Sequence, residues 1–254
     1  MKTNRSNIGI EVCIEDAAYA ESAVRAGANR IEMCSTLDQG GLTPTAQSVR
    51  KAARSGVPIT AMARIRPGDF ILDDDDIAIL RDEITAHVEN GAEGIVLGAL
   101  TPEATIDTVA LGWLVDACGG RPVTFHRAFD HCSDRISGLE QVIDCGCQRL
   151  LTSGGATTAI EGLEELERIV DTAGDRIEVI AGGGVRPGCA VELVQKTGVR
   201  WLHLSARRNI PGPPIDPRSE VPLGSASLAA PGERWIMDPA IVEDLRSELD
   251  RAAG

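Results

Sequence analysis

The chain twice writes a carboxylate and, two residues on, a thiol: Glu11 and Cys13 in GIEVCI, then Glu32 and Cys34 in RIEMCS. Each pair sits in a short apolar run. Strand alternation puts Glu and Cys on one face and Ile10, Val12, Ile14, Ile31 and Met33 on the other. Thiolates are soft ligands that suit Cu(I). Carboxylates are hard and suit a divalent ion such as Mg²⁺ or Mn²⁺, or a proton-transfer role. A third reading is plainer, since buried cysteines often serve only as small apolar side chains.

Other short runs add polar groups in the same way. TAMARIR offers Arg64 and Arg66, VTFHR offers Thr124 and His126, and WLHLS offers His203 and Ser205. LTSGG carries Ser153 and Gly154, and AGGGV carries Gly182, Gly183 and Gly184, whose backbone N–H groups suit an anion such as phosphate. These residues sort into three sets. Cys13 and Cys34 are the candidate metal ligands, and Glu11, Glu32, Arg64 and His126 the candidate catalytic groups. Arg66, Ser153, Gly154, Gly182, Gly183, Gly184, His203 and Ser205 are the candidate anion-binding groups. Unpaired buried ions are too costly to tolerate, so the charges form either a ligand site or a structural network, Glu11 and Glu32 with Arg64 and Arg66.

The elements that must position these groups repeat one grammar: a charged amphipathic segment, a Gly, then a β-branched run. It recurs at 25–33, 89–97, 144–152 and 196–204. Eight strand candidates centre near Ile10, Ile31, Thr60, Val96, Thr124, Leu150, Val179 and Leu202. Helical patterns lie between them, including Glu161 to Thr172 and a last helix that opens at Asp238-Pro239 and runs to about Ala252. The expectation is a single α/β domain over residues 1–254, a (β/α)8 TIM barrel with its site at the C-terminal mouth. A doubly wound sheet is the weaker alternative, because no GxGxxG follows the first strand. A Pro-, Gly- and Ser-rich loop is expected at about 207–237, leaving that mouth.

Composition narrows the partners. A net charge of −13 argues against nucleic acid and against an anionic membrane surface. The start, MKTNRSN, has no apolar core of a signal peptide, and seven dispersed cysteines read as reduced thiols, so a cytoplasmic location is expected. The lysines are Lys2, Lys51 and Lys196; none lies at a strand C-terminus, which argues against a Schiff-base aldolase. No GxSxG or HExxH occurs. Cys145 and Cys147 read as a helix-end turn, Asp73 to Asp76 as a solvated helix cap, and His87 as a surface residue of the helix that follows.

Taken together, EVC, RIEMC, GGLTP, R-x-R-x-GDF (64–70), TFHRAFD (124–130), LTSG (151–154), AGGGV (181–185) and HLS (203–205) resemble the CutC family, called copper homeostasis proteins. The resemblance runs from about residue 8 to 206. It implies a cytoplasmic (β/α)8 barrel that self-associates as a dimer or tetramer and binds Cu(I), with Cys13 and Cys34 matching the suggested ligands. Glu11, Glu32, Arg64, Arg66, His126, Asp130 and Ser205 also fall on its motif positions. The arginine loop departs from the family's RPRGGDF, with Ile65 and Pro67 replacing its Pro and first Gly. The residues themselves leave two other functions open: an isomerase, epimerase, lyase or hydrolase acting on a small anionic or phosphorylated metabolite, or a non-catalytic small-molecule binder.

Overall fold

A computed structural model of the chain describes residues 7–212 and 233–254. Eight parallel strands close into a barrel: β1 (Gly9–Ile14), β2 (Arg30–Met33), β3 (Ile59–Met62), β4 (Gly94–Leu97), β5 (Val123–Phe125), β6 (Arg149–Thr152), β7 (Glu178–Gly182) and β8 (Trp201–Leu204). Each pairs with the next, and β8 returns to β1. All eight expected strand centres fall inside these strands.

The helices between them are α1 (Ala20–Ala26), α2 (Ala46–Ala52), α3 (Asp74–Glu89), α4 (Thr108–Ala117), α5 (Arg135–Asp144), α6 (Leu163–Ala173) and α7 (Ala190–Thr197); α8 (Pro239–Ala252) closes the chain. Gly27 ends α1 at a φ of 117°, a conformation L side chains resist, and the chain then turns directly into β2. Asp73 and Asp76 open α3 with a reciprocal capping box. His87 departs from expectation. It is fully buried on the Ile77, Leu80, Ile84 stripe of α3, where helical spacing overrides its polarity, and burial lowers its pKa.

Ile10, Val12, Ile14, Ile31 and Met33 face outward into the core shared with the helices, and Cys13, Cys34, Met62 and Val96 form a separate cluster inside the barrel. Alternation therefore holds, and register does the rest. Glu11 stands opposite Arg30 on one side and His203 on the other, and Cys13 stands opposite Glu32. The chain beyond β8 forms an antiparallel ribbon of β9 (Arg207–Pro211) and β10 (Glu233–Met237). These strands occupy the two ends of the stretch expected as a loop; the rest of that stretch, 213–232, lies outside the described residues. No helix among the described residues is long and apolar enough to cross a membrane.

Candidate functional site

The barrel interior is polar from its floor upward, where branched aliphatic layers are usual. Glu11 lies at the centre of the floor, almost fully buried. One carboxylate oxygen accepts from Arg30 Nε and the other is 2.8 Å from His203 Nδ1. The Arg30 guanidinium stacks 3.8 Å over the Trp201 ring and pairs with Glu178 at 3.1 Å; Glu178 also takes Arg149 at 3.4 Å. Gly9 makes this stack possible, since a Cβ there would lie 2.4 Å from the indole. The partner of Glu11 is thus Arg30, not Arg64 or Arg66.

Above the floor, His203 Nε2 is 3.3 Å from Glu32. Ligand atoms of Cys13, Glu32 and His203 all lie within 4.8 Å of one another, and all three residues are buried. The surroundings pull the two glutamates apart. Burial opposes the charge of Glu11, but the His203 hydrogen bond and the Arg30 charge outweigh it and bring its pKa down to about 2. For Glu32 burial wins, aided by the charge of Glu11 and opposed by that of His203, and the pKa rises to about 7. Burial also disfavours imidazolium at His203, yet Cys13, Glu32 and Glu11 together hold its pKa well above the ordinary value. Cys34 is pushed up by burial and then by Glu32.

This cluster forms one wall of a cavity of about 900 Å³ at the C-terminal mouth. Cys13, Glu32, Cys34, Arg64, His126, Gly183, Gly184, His203 and Ser205 line it, so most of the sequence-derived candidates meet there. Four do not. Arg66 lies beyond the end of β3, where alternation no longer governs direction. It turns outward to Asp76 at the start of α3 and to the Ile71 carbonyl at 2.7 Å. Gly182 is still in β7, under Leu151 and His203. Ser153 and Gly154 are taken up by the barrel itself. Ser153 bonds Asp130, Arg127 and the Ala156 carbonyl, and the Gly154 amide donates to Thr152 at 2.9 Å.

Sequence reading missed Arg30, Arg149, Glu178 and Phe70. Arg30 shares the inward parity of Glu32 and was legible on that ground. The role of the HRAFD motif was also hidden. Asp130 accepts from the amides of Ser153 and Gly155, both at 3.0 Å, from Thr152 Oγ1, and from Arg127 Nε at 2.7 Å. It clamps the exit of β6.

A family model described as "CutC family" matches residues 8–208. The chain belongs to the CutC family. Curated relatives named "family protein CutC" agree in length. That of Vibrio cholerae (strain M66-2) is 42% identical over 221 residues, covering 85% of this chain and 87% of the relative. That of Caulobacter vibrioides (strain NA1000 / CB15N) is 38% identical over 238 residues, covering 94% and 96%. A crystal structure of CutC from Streptococcus agalactiae, provisionally named a copper homeostasis protein, superposes with a TM-score of 0.75 at 32% identity, covering 78% of this chain and 98% of that one. At 18% identity and a TM-score of 0.59, "QR15, an Aldolase" shares the fold alone. Lys51 and Lys196 sit on α2 and α7, and neither lines the cavity.

Proposed function

We propose that this CutC-family chain is a copper homeostasis protein of the cytoplasm that takes Cu(I) at the floor of the barrel mouth. The observation that carries the reading is the convergence of Cys13, Glu32 and His203 donor atoms within 4.8 Å, with Cys34 in the same buried cluster. Thiolate and imidazole suit Cu(I), and a second thiol alongside favours it over a hard ion. Glu11 at His203 Nδ1 sets the ring so that Nε2 faces Glu32, as carboxylates behind metal-bound histidines do. The name of the S. agalactiae protein points the same way.

Loading the ion displaces protons from Cys34 and His203, so affinity falls as pH falls. Anaerobic Cu(I) titration is expected to give about one ion per chain and to lose it in Cys13→Ala and His203→Ala. Unchanged affinity in both variants overturns the assignment. A site that takes a divalent ion and refuses Cu(I) overturns the choice of metal.

A second reading rests on cavity size. A space of about 900 Å³ far exceeds an ion and falls in the range of small-molecule sites, about 300–1,000 Å³. Arg64 and Arg207 line it, and no hydrogen bond to the Gly183 or Gly184 amide is present among the described residues. This favours a small anionic metabolite. Glu32, held near neutrality, suits proton transfer in an isomerase, epimerase, lyase or hydrolase. We further infer that the chain is one domain and self-associates as a dimer or tetramer. Val109 and Trp113, one turn apart on the apolar helix α4, are 61% and 47% exposed and offer the contact.

A further inference from the structure

Two buried N–H groups, on residues that line the cavity, have no acceptor among the described residues. Arg64 spends its terminal nitrogens on backbone. Nη1 donates to the Gln39 and Gly41 carbonyls at 2.8 and 3.3 Å, and Nη2 to Gly68 at 3.1 Å. Its Nε is buried and bare. His126 is 4% exposed, and its Nδ1 accepts the Ala128 amide at 3.3 Å. That bond requires a lone pair on Nδ1, so the proton of the neutral ring sits on Nε2, which also lacks a partner. Burial first, and the Arg64 charge second, bring the pKa of His126 down to about 3, so the ring is neutral at physiological pH.

Both side chains are held by Phe70. Its ring lies 4.9 Å from the Arg64 guanidinium carbon and meets His126 edge-on at 5.1 Å. Gly98 sits against the imidazole, where a Cβ would come within 2.5 Å of Nδ1. Buried donors are almost always satisfied, so two bare ones on residues that line one cavity mark where a ligand supplies acceptors. We propose that Arg64 Nε–H and His126 Nε2–H form a two-donor subsite for an oxyanion, the carboxylate, enolate or phosphoryl oxygen of a small metabolite. The assignment rests on the small-molecule reading of the mouth and is independent of the copper ligands. It gives His126 the role of a neutral hydrogen-bond donor, where its residue type alone suggests a base.

The test titrates the full-length protein with oxalate and, separately, inorganic phosphate by calorimetry, while nitrogen NMR of the imidazoles reads the His126 tautomer. The expected result is binding of at least one probe, with His126 neutral and protonated at Nε2. His126→Phe and Arg64→Met should each weaken that probe at least about tenfold. His126→Asn, which keeps a donor, should recover part of the loss, and Cu(I) affinity should stay unchanged in all three. Binding of oxalate alone assigns a carboxylate-like ligand, and phosphate alone a phosphoryl group. If the native protein binds neither probe, the small-molecule reading falls and the subsite with it. If it binds but both variants bind equally well, or the proton sits on Nδ1, the subsite is wrong while the small-molecule reading stands.

Discussion

Glu11 and Glu32 are the same residue type on neighbouring strands, both almost fully buried, yet their pKa values diverge to about 2 and about 7. The difference is company. Glu11 has a guanidinium on one oxygen and an imidazole on the other, while Glu32 has only a longer contact with His203 and the neighbouring Cys34 thiol, and its Oε1 has no hydrogen-bond partner among the described residues. Their effects on stability therefore have opposite signs. The folded pKa of Glu11 is depressed, so its contribution is present above the ordinary value of 4.5 and lost as pH falls toward 2. That of Glu32 is raised, so its contribution is full below 4.5 and lost as pH rises through 7. In metal-free protein the Glu32 part amounts to about 3 kcal/mol at most. Urea unfolding between pH 5 and 8 should show stability falling with pH in the native protein and falling less in Glu32→Gln. Equal slopes would show that Glu32 does not titrate in that window. Alternation made both glutamates legible in the sequence, but it could not say which would be ionised. That depends on Arg30 and His203 lying opposite Glu11, a matter of register between strands far apart in the chain.

At the scale of elements, the strand ends decide what reaches the mouth. Alternation predicts direction only while the chain is a strand. It succeeds for Glu11, Cys13, Glu32 and His203 inside β1, β2 and β8, and for Cys34 and His126 one residue beyond β2 and β5. It fails for Arg66, four residues past β3, where the chain has turned toward α3. The β6 exit shows the converse: residues that read as an anion site are internal fittings. Asp130 gathers the Ser153 and Gly155 amides, Thr152 and Arg127, and Gly162 packs so closely that a Cβ there would lie 2.0 Å from the Ser153 carbonyl oxygen. Removing the clamp strands several buried donors at once. Asp130→Ala should lower stability by about 2–4 kcal/mol, measured as a drop in the urea midpoint. Because Asp130 does not line the cavity, Cu(I) affinity of the folded variant should match the native value. A variant of native stability would mean the motif serves the ligand and not the barrel.

For the whole molecule, barrel closure explains why so many polar groups can be buried together. Each strand buries an apolar outer face under helices, leaving the inner face free to carry charge if the charges pair. The floor does this with Arg30 and Arg149 against Glu11 and Glu178. The exterior has one helix out of keeping with a solvated surface. The sequence of α4, TVALGWLVDA, is apolar nearly all round; Ala110, Leu111 and Leu114 face the barrel, while Val109 and Trp113 face out. A helix of this kind is normally covered on both sides. Sedimentation equilibrium should give a multiple of the 26.8 kDa chain mass, and Trp113→Glu should shift it toward a single chain, because a carboxylate cannot be buried unpaired in such a contact. The substitution is on the exposed face of α4, so folding and Cu(I) binding should survive it. A Trp113→Glu protein that keeps the native mass would move the contact elsewhere, and a native protein of single-chain mass would leave α4 as bare apolar surface.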